Sequence, residues 1–248
     1  MTTRAATTMI YPETDGMPLP DGEFQAPLYV DILSKLGVHF KDIPGARVNG
    51  DTFIYYIEGN PRRSVSPNCY VALDLPDDSI ASIERNNAYL LWEVGKAPDF
   101  ILEIGSESTA NTDMGRKRDL YAELGVSEYW RYDSTGGEFY GEPLAGERLV
   151  DGEYHRLELR QESDGNVWGH SDALNLDLWW ANNELRFWDP VDERWILSHE
   201  EEHARAEAQA IRAEHAENER DRQAAARREA ETELHRLRQR LAELKESD

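Results

Sequence analysis

Glu103 lies inside the apolar run Phe100–Ile104, and Lys117 follows on a stretch with helical spacing, all within PDFILEIGSESTANTDMGRKRDLYAELGVSEYWRYD, residues 98–133. With Asp99, these are three ionisable groups in one compact segment that could share a site. An unpaired carboxylate in an apolar run costs several kcal/mol, on the order given by polar-group transfer, so Glu103 must have a cation beside it, an open strand end, or a raised pKa. Each of these outcomes marks it as a candidate for chemistry.

The elements that must position these groups are short. Phe100–Ile104 is too brief for a helix and reads as a strand buried on both faces. Ser106–Thr112 is polar and turn-like. Thr112 or Asn111 is placed to cap a helix from about Asp113 to Leu124, which Gly125 ends. Met114, Leu120, Tyr121 and Leu124 make its buried stripe, and Lys117, three residues after Met114 and four before Tyr121, turns to the same face. From there it can reach inward to Glu103. Glu128–Asp133 alternates, is rich in aromatics and reads as a second strand.

The segments PDFILEIGSEST, RKRDLYAELGVSEYW and the following YD resemble the bacterial restriction-endonuclease-like family, once a domain of unknown function, within the PD-(D/E)XK nuclease superfamily. The likeness extends more loosely over residues 10–200, through YPETDGMPLPDGEF and FIYYIEGNPRRSVSPNCYVAL. It implies an α/β fold: a restriction-endonuclease-like core of a mixed central sheet flanked by helices, here with added β-hairpins and a long C-terminal helix. It also implies a Mg²⁺ (or Mn²⁺) site held by an aspartate on one strand and a glutamate on the next, with a lysine moved to the following helix. The glutamate is Glu103 and the lysine Lys117, while the aspartate position holds Asn68. Glu103 and Asn68 are thus the implied metal ligands, and Glu23, in DGEF before the first helix, is an auxiliary acid. Asp74 and Asp77 are further acids with no motif behind them.

What the resemblance implies in function is a Mg²⁺-dependent endonuclease hydrolysing phosphodiester bonds in DNA, with a metal site compromised by Asn68. Asn68 offers an amide oxygen without negative charge, whereas hard Mg²⁺ sites depend on carboxylates. Asp99 does not replace it, because four strand residues separate it from Glu103 by roughly 13 Å at about 3.3 Å per residue; a Pro-Asp pair opening a strand reads as a turn or cap. The alternative is a catalytically inactive nuclease-like interaction or regulatory module that self-associates through its C-terminal helix. In that case the Glu103–Lys117 pair merely fixes the helix on the sheet. Ser106, Ser108 and Thr109 read as a helix-leading turn, with no base nearby to make a nucleophile.

Charge weighs against nucleic-acid binding. The 248 residues carry a formal net charge of -22, whereas a DNA-binding surface uses a basic patch to displace counterions. Residues 199–248 hold 10 basic and 14 acidic residues, which leaves 17 and 35 for the first 198, so the globular part carries most of the acidity. Arg62-Arg63 and Arg116-Lys117-Arg118 are the local clusters able to touch a backbone. The single cysteine, Cys69, excludes internal disulfides and reads as a small core residue. No apolar run approaches the roughly 20 residues needed to cross a bilayer, and MTTRAATT has no signal-like apolar region. A cytoplasmic protein without a membrane partner is expected.

Two domains are expected, 1–198 and 199–248. In the first, Ala26–Leu36 has helical spacing and Thr52–Ile57 reads as a strand before the loop GNPRRSVSP. Later come short aromatic strands, with Asn182-Asn183 and Asp189–Glu193 as hairpin turns. Trp168, Trp179, Trp180, Trp188 and Trp195 read as core and hairpin packing rather than a base-stacking surface, since no basic residues interleave with most of them. From His199 the chain is Ala, Glu, Arg and Gln without Gly or Pro, the composition of one long helix. Leu234, Leu237, Leu241 and Leu244 form a short coiled-coil seam, pointing to a homo-oligomer.

Overall fold

The computed structural model describes residues 25–246, with side chains described for 26–240. The chain divides into two compact units between Ser198 and His199.

The first unit opens with α1 (Gln25–Phe40), β1 (Arg47–Asn49), β2 (Ile54–Tyr55), β3 (Ser64–Val65), β4 (Cys69–Ala72), α2 (Asp77–Asn86), β5 (Tyr89–Leu90) and α3 (Leu91–Val94). The central strand β6 (Phe100–Ile104) leads into a helical segment: α4 (Ala110–Thr112), a π-helical turn at Asp113–Lys117, and α5 (Arg118–Leu124). Then follow β7 (Glu128–Tyr132), β8 (Leu144–Val150), β9 (Glu153–Arg156), β10 (Arg160–Gln161), β11 (Val167–Ser171), β12 (Leu176–Ala181), β13 (Glu184–Asp189) and β14 (Arg194–Trp195). This is a mixed α/β fold.

The main sheet has six strands in the order β1-β4-β6-β7-β8-β9. Within it β6 and β7 run parallel, pairing Glu103 with Arg131, while the other neighbours are antiparallel. Parallel neighbours need a crossover, and the helical segment from Ala110 to Leu124 provides it. Side chains alternate across a strand. Phe100, Leu102 and Ile104 therefore pack with Ile32, Leu36 and Phe40 of α1 on one face. Ile101 faces the other side, against Tyr121 of α5 and Tyr129. Glu103 shares the parity of Ile101, so the sheet delivers its carboxylate to the helix side.

β6 is buried on both faces, as its apolar run predicts. The crossover helix departs from expectation. It begins at Ala110, three residues early, and Thr109 at its start makes no side-chain cap; Ser106 hydroxyl and Thr109 hydroxyl bond each other instead. Met114, expected in the buried stripe, is 38% exposed, and Asp113 is fully buried in its stead. Residues four apart share a helix face, so Asp113, Lys117 and Tyr121 line up toward the sheet across the π turn and α5, and Met114 falls at the edge of that face. Gly125 ends α5 with φ of 86°, its N–H bonding back to Ala122.

A second sheet, β10-β11-β12-β13-β14, is antiparallel throughout. Asn182 and Asn183 both take positive φ, 53° and 66°, as a two-residue hairpin turn with right-handed twist requires. Its inner residues Leu176, Leu178, Leu185 and Phe187 join the core beneath the main sheet. Buried Glu128 of β7 accepts hydrogen bonds from Trp130, Ser171 and the Asp172 N–H, which ties the two sheets together. On its other face, half-buried Trp168 stacks on Trp179, and Trp188 and Trp179 meet Trp195 edge to face. Hairpin packing thus holds, but arginines do interleave: Arg160 lies over Trp168 and Arg186 over Trp195. Cross-strand register brings them together where sequence order does not.

A short third sheet, β3-β2-β5, flanks the core. The second unit is α6 (His199–Glu246), a single helix of 48 residues. Its Leu234 and Leu237 are 49% and 55% exposed. Among the described residues no helix is long and apolar enough to cross a membrane.

Candidate active site

Glu103 meets its partners at the end of β6 where β4 begins. Its Oε1 accepts a hydrogen bond from the Tyr121 hydroxyl at 2.7 Å and lies 3.0 Å from Lys117 Nζ. The same ammonium is 3.0 Å from Asp113 Oδ1. Glu103 and Asp113 are both fully buried, and the Lys117 side chain is 18% exposed. Asp113 is in turn held by the Tyr140 hydroxyl, which donates to Oδ2 at 2.8 Å, and by Tyr129, which donates to its backbone carbonyl at 3.0 Å. The Lys117 ammonium is the partner of Asp113 Oδ1.

Lys117 and Glu103 are therefore brought together as the helix-face reading requires. Asp113 and Tyr121 complete the cluster, and the sequence reading missed both roles. The D-x-x-x-K-x-x-x-Y spacing was the available signal, since residues four apart share a helix face, but an apolar stripe is drawn through Met114 and passes over a carboxylate.

Asn68 is adjacent to Glu103 across the β4–β6 ladder, one step beyond the Cys69–Leu102 pair. Its backbone N–H donates to Glu103 Oε2 at 3.3 Å. Its side-chain oxygen is engaged elsewhere, accepting from the Ile104 N–H at 2.8 Å. Gly50 presses on the same spot, since a Cβ there would lie 1.9 Å from the Asn68 carbonyl oxygen. Asn68 thus works as a strand-end clip. Asp99 accepts from the Leu73 N–H and from Lys96, as a strand-opening cap. Asp74, in a turn with φ of 53°, and Asp77, opening α2, lie beyond the opposite end of β4 from Asn68. Glu23 lies outside the described residues.

Burial raises the Glu103 pKa most, Lys117 opposes this and Asp113 adds to it, and the result moves from an ordinary 4.5 to about 7. For Lys117 burial pulls downward, but Glu103 and Asp113 together outweigh it and hold the ammonium protonated. The folded protein binds the Glu103 proton more tightly than the unfolded chain does. Its contribution to stability is therefore fully present below about pH 4.5 and is lost as pH rises through about 7. Urea unfolding at pH 5 and pH 8 should show wild type losing stability across this interval relative to Glu103→Gln, which cannot titrate. Parallel pH dependences in the two proteins would contradict the assignment.

Among the described residues no group of three or more His, Cys, Asp or Glu side chains is placed to hold a metal ion. A hard cation of the Mg²⁺ class needs less, since one or two carboxylates with water and substrate oxygens suffice. Two buried carboxylates converging on one point now held by an ammonium fit that smaller requirement.

No curated protein matches the chain. Among solved structures, a putative nuclease belonging to DUF820 from Anabaena variabilis is similar, with 16% identity and a TM-score of 0.39, over 61% of this chain and 80% of that one. The family Uma2, described as putative restriction endonuclease, matches residues 17–183, a span that contains every residue of the cluster just described. The chain belongs to that restriction-endonuclease-like family.

Proposed function

We propose that this protein is a Mg²⁺-dependent endonuclease, also served by Mn²⁺, that hydrolyses phosphodiester bonds in DNA. The observation that carries the reading is the convergence of Glu103 and Lys117 at 3.0 Å at a strand end, next to a second buried acid. When bound, the divalent ion polarises the scissile phosphate and lowers the pKa of a coordinated water. Glu103 is the strand carboxylate that would hold it, with Tyr121 fixing the rotamer through Oε1. Lys117, released from its carboxylates, places an ammonium beside the phosphate and stabilises charge developing in the transition state. Exposed Arg62, Arg63 and Arg116 supply backbone contacts on an otherwise acidic surface. Arg118 is committed to Glu147 and the Tyr154 carbonyl.

Two observations favour a second reading, a catalytically inactive module joined to a second copy through α6. The Asn68 oxygen is occupied by the Ile104 N–H, and Leu234 and Leu237 remain exposed on α6. Nicking of supercoiled plasmid in Mg²⁺ and Mn²⁺ by the wild type, with sedimentation of the same sample, separates the two. The nuclease reading expects nicking. A chain that sediments as a dimer and leaves plasmid intact supports the second.

A further inference from the structure

We propose that Asp113 supplies the second carboxylate of the cation site, the role that the implied strand aspartate would fill at position 68. The inference rests on the metal-dependent reading above and assigns its ligands.

Three features lead to it. First, Asn68 is a poor ligand here: it brings no charge, and its Oδ1 already accepts the Ile104 N–H at 2.8 Å. Second, Asp113 is fully buried, its Oδ2 is fixed by Tyr140, and its Oδ1 faces the Lys117 ammonium at 3.0 Å. A buried carboxylate is held there only with a cation beside it. Third, a cation already stands there. Lys117 Nζ is 3.0 Å from both Glu103 Oε1 and Asp113 Oδ1, so the two acids face a common point that accepts positive charge. Asp113 stands one turn before Lys117 on the same helix face, within a π turn of the kind that recurs at functional sites. Lys117 accordingly acts as the resident counter-ion of the metal-free protein and gives way when the metal enters.

Binding of Mn²⁺ alone to the full chain, followed by calorimetry and by the Mn²⁺ electron-spin resonance signal, tests this without reference to cleavage. Asp113→Asn should weaken Mn²⁺ at least about tenfold, as loss of a metal-orienting group does, while Asn68→Ala should change it less than about threefold. Lys117→Gln should bind Mn²⁺ more tightly than wild type, a gain that misfolding cannot imitate, and the gain should vanish in Lys117→Gln/Asp113→Asn. Wild-type affinity in Asp113→Asn, or a loss confined to Asn68→Ala, overturns the assignment. Asp113-dependent binding without any plasmid nicking upholds the assignment and removes the nuclease reading. Nicking with binding indifferent to Asp113 does the reverse, and a wild type that binds no Mn²⁺ removes both.

Discussion

Lys117→Met is expected to lower the unfolding free energy by about 3–5 kcal/mol near pH 8, the cost typical of removing one partner from a buried ion pair. The reason is local. Glu103 and Asp113 are both fully buried, and Lys117 is the cation within 3.0 Å of each. The apolar side chain fills the space but leaves two carboxylates facing each other. The loss should shrink toward pH 5, because Glu103, with its pKa raised to about 7, takes a proton there and discards its charge. If Lys117 also stabilises the transition state, plasmid nicking should fall by about 10²-fold or more even where the variant remains folded. Urea titrations at the two pH values measure the first effect, and nicking rates below the unfolding transition measure the second. A stability change under about 0.5 kcal/mol, the range of ordinary surface substitutions, would mean the cluster is not held together by its charges.

Asn68→Asp carries the second large effect, and its two parts have opposite signs. The new carboxylate can still accept the Ile104 N–H that Asn68 Oδ1 accepts at 2.8 Å, so the strand end keeps its clip. It also sets a third acid beside Glu103 with only Lys117 to balance them, which should lower metal-free stability by about 1–3 kcal/mol through desolvation and like-charge repulsion. In Mg²⁺ the same charge becomes a ligand, and nicking should rise about tenfold or more. Stability without metal and nicking with it, measured on one preparation, give the expected crossing. A variant that is neither less stable nor more active would place position 68 outside the site.

How far the site was legible in the sequence depends on which residue is asked about. Glu103 was legible because a charged residue inside a five-residue apolar strand is conspicuous. Lys117 was legible because its spacing to Tyr121 fits any helical turn. The hairpin at Asn182-Asn183 announced itself through two residues that tolerate positive φ. Asp113 escaped because a carboxylate is not counted into an apolar stripe, although its four-residue spacing to Lys117 puts both on one helix face. Tyr140, 27 residues away in sequence, reaches Asp113 only through the loop after β7, where Asp133 accepts the N–H groups of Phe139 and Tyr140. The commitment of Asn68 to Ile104 likewise depends on the β4–β6 register, which no local pattern fixes. Arg160 and Arg186 reached their tryptophans by the same non-local route. Periodicity thus shows which face a residue takes, and it fails where a distant loop or a cross-strand pairing decides.

The central claim is that Glu103 and its neighbours form a working, metal-dependent site for cutting DNA. The most direct measurement is conversion of supercoiled plasmid to nicked circles by wild type and Glu103→Ala, in Mg²⁺ and in excess chelator. Wild type should nick only with the ion, and Glu103→Ala should be slower by at least about 10²-fold, the scale on which removing one preorganised charge acts. Equal nicking by both proteins, or none by the wild type, would contradict it.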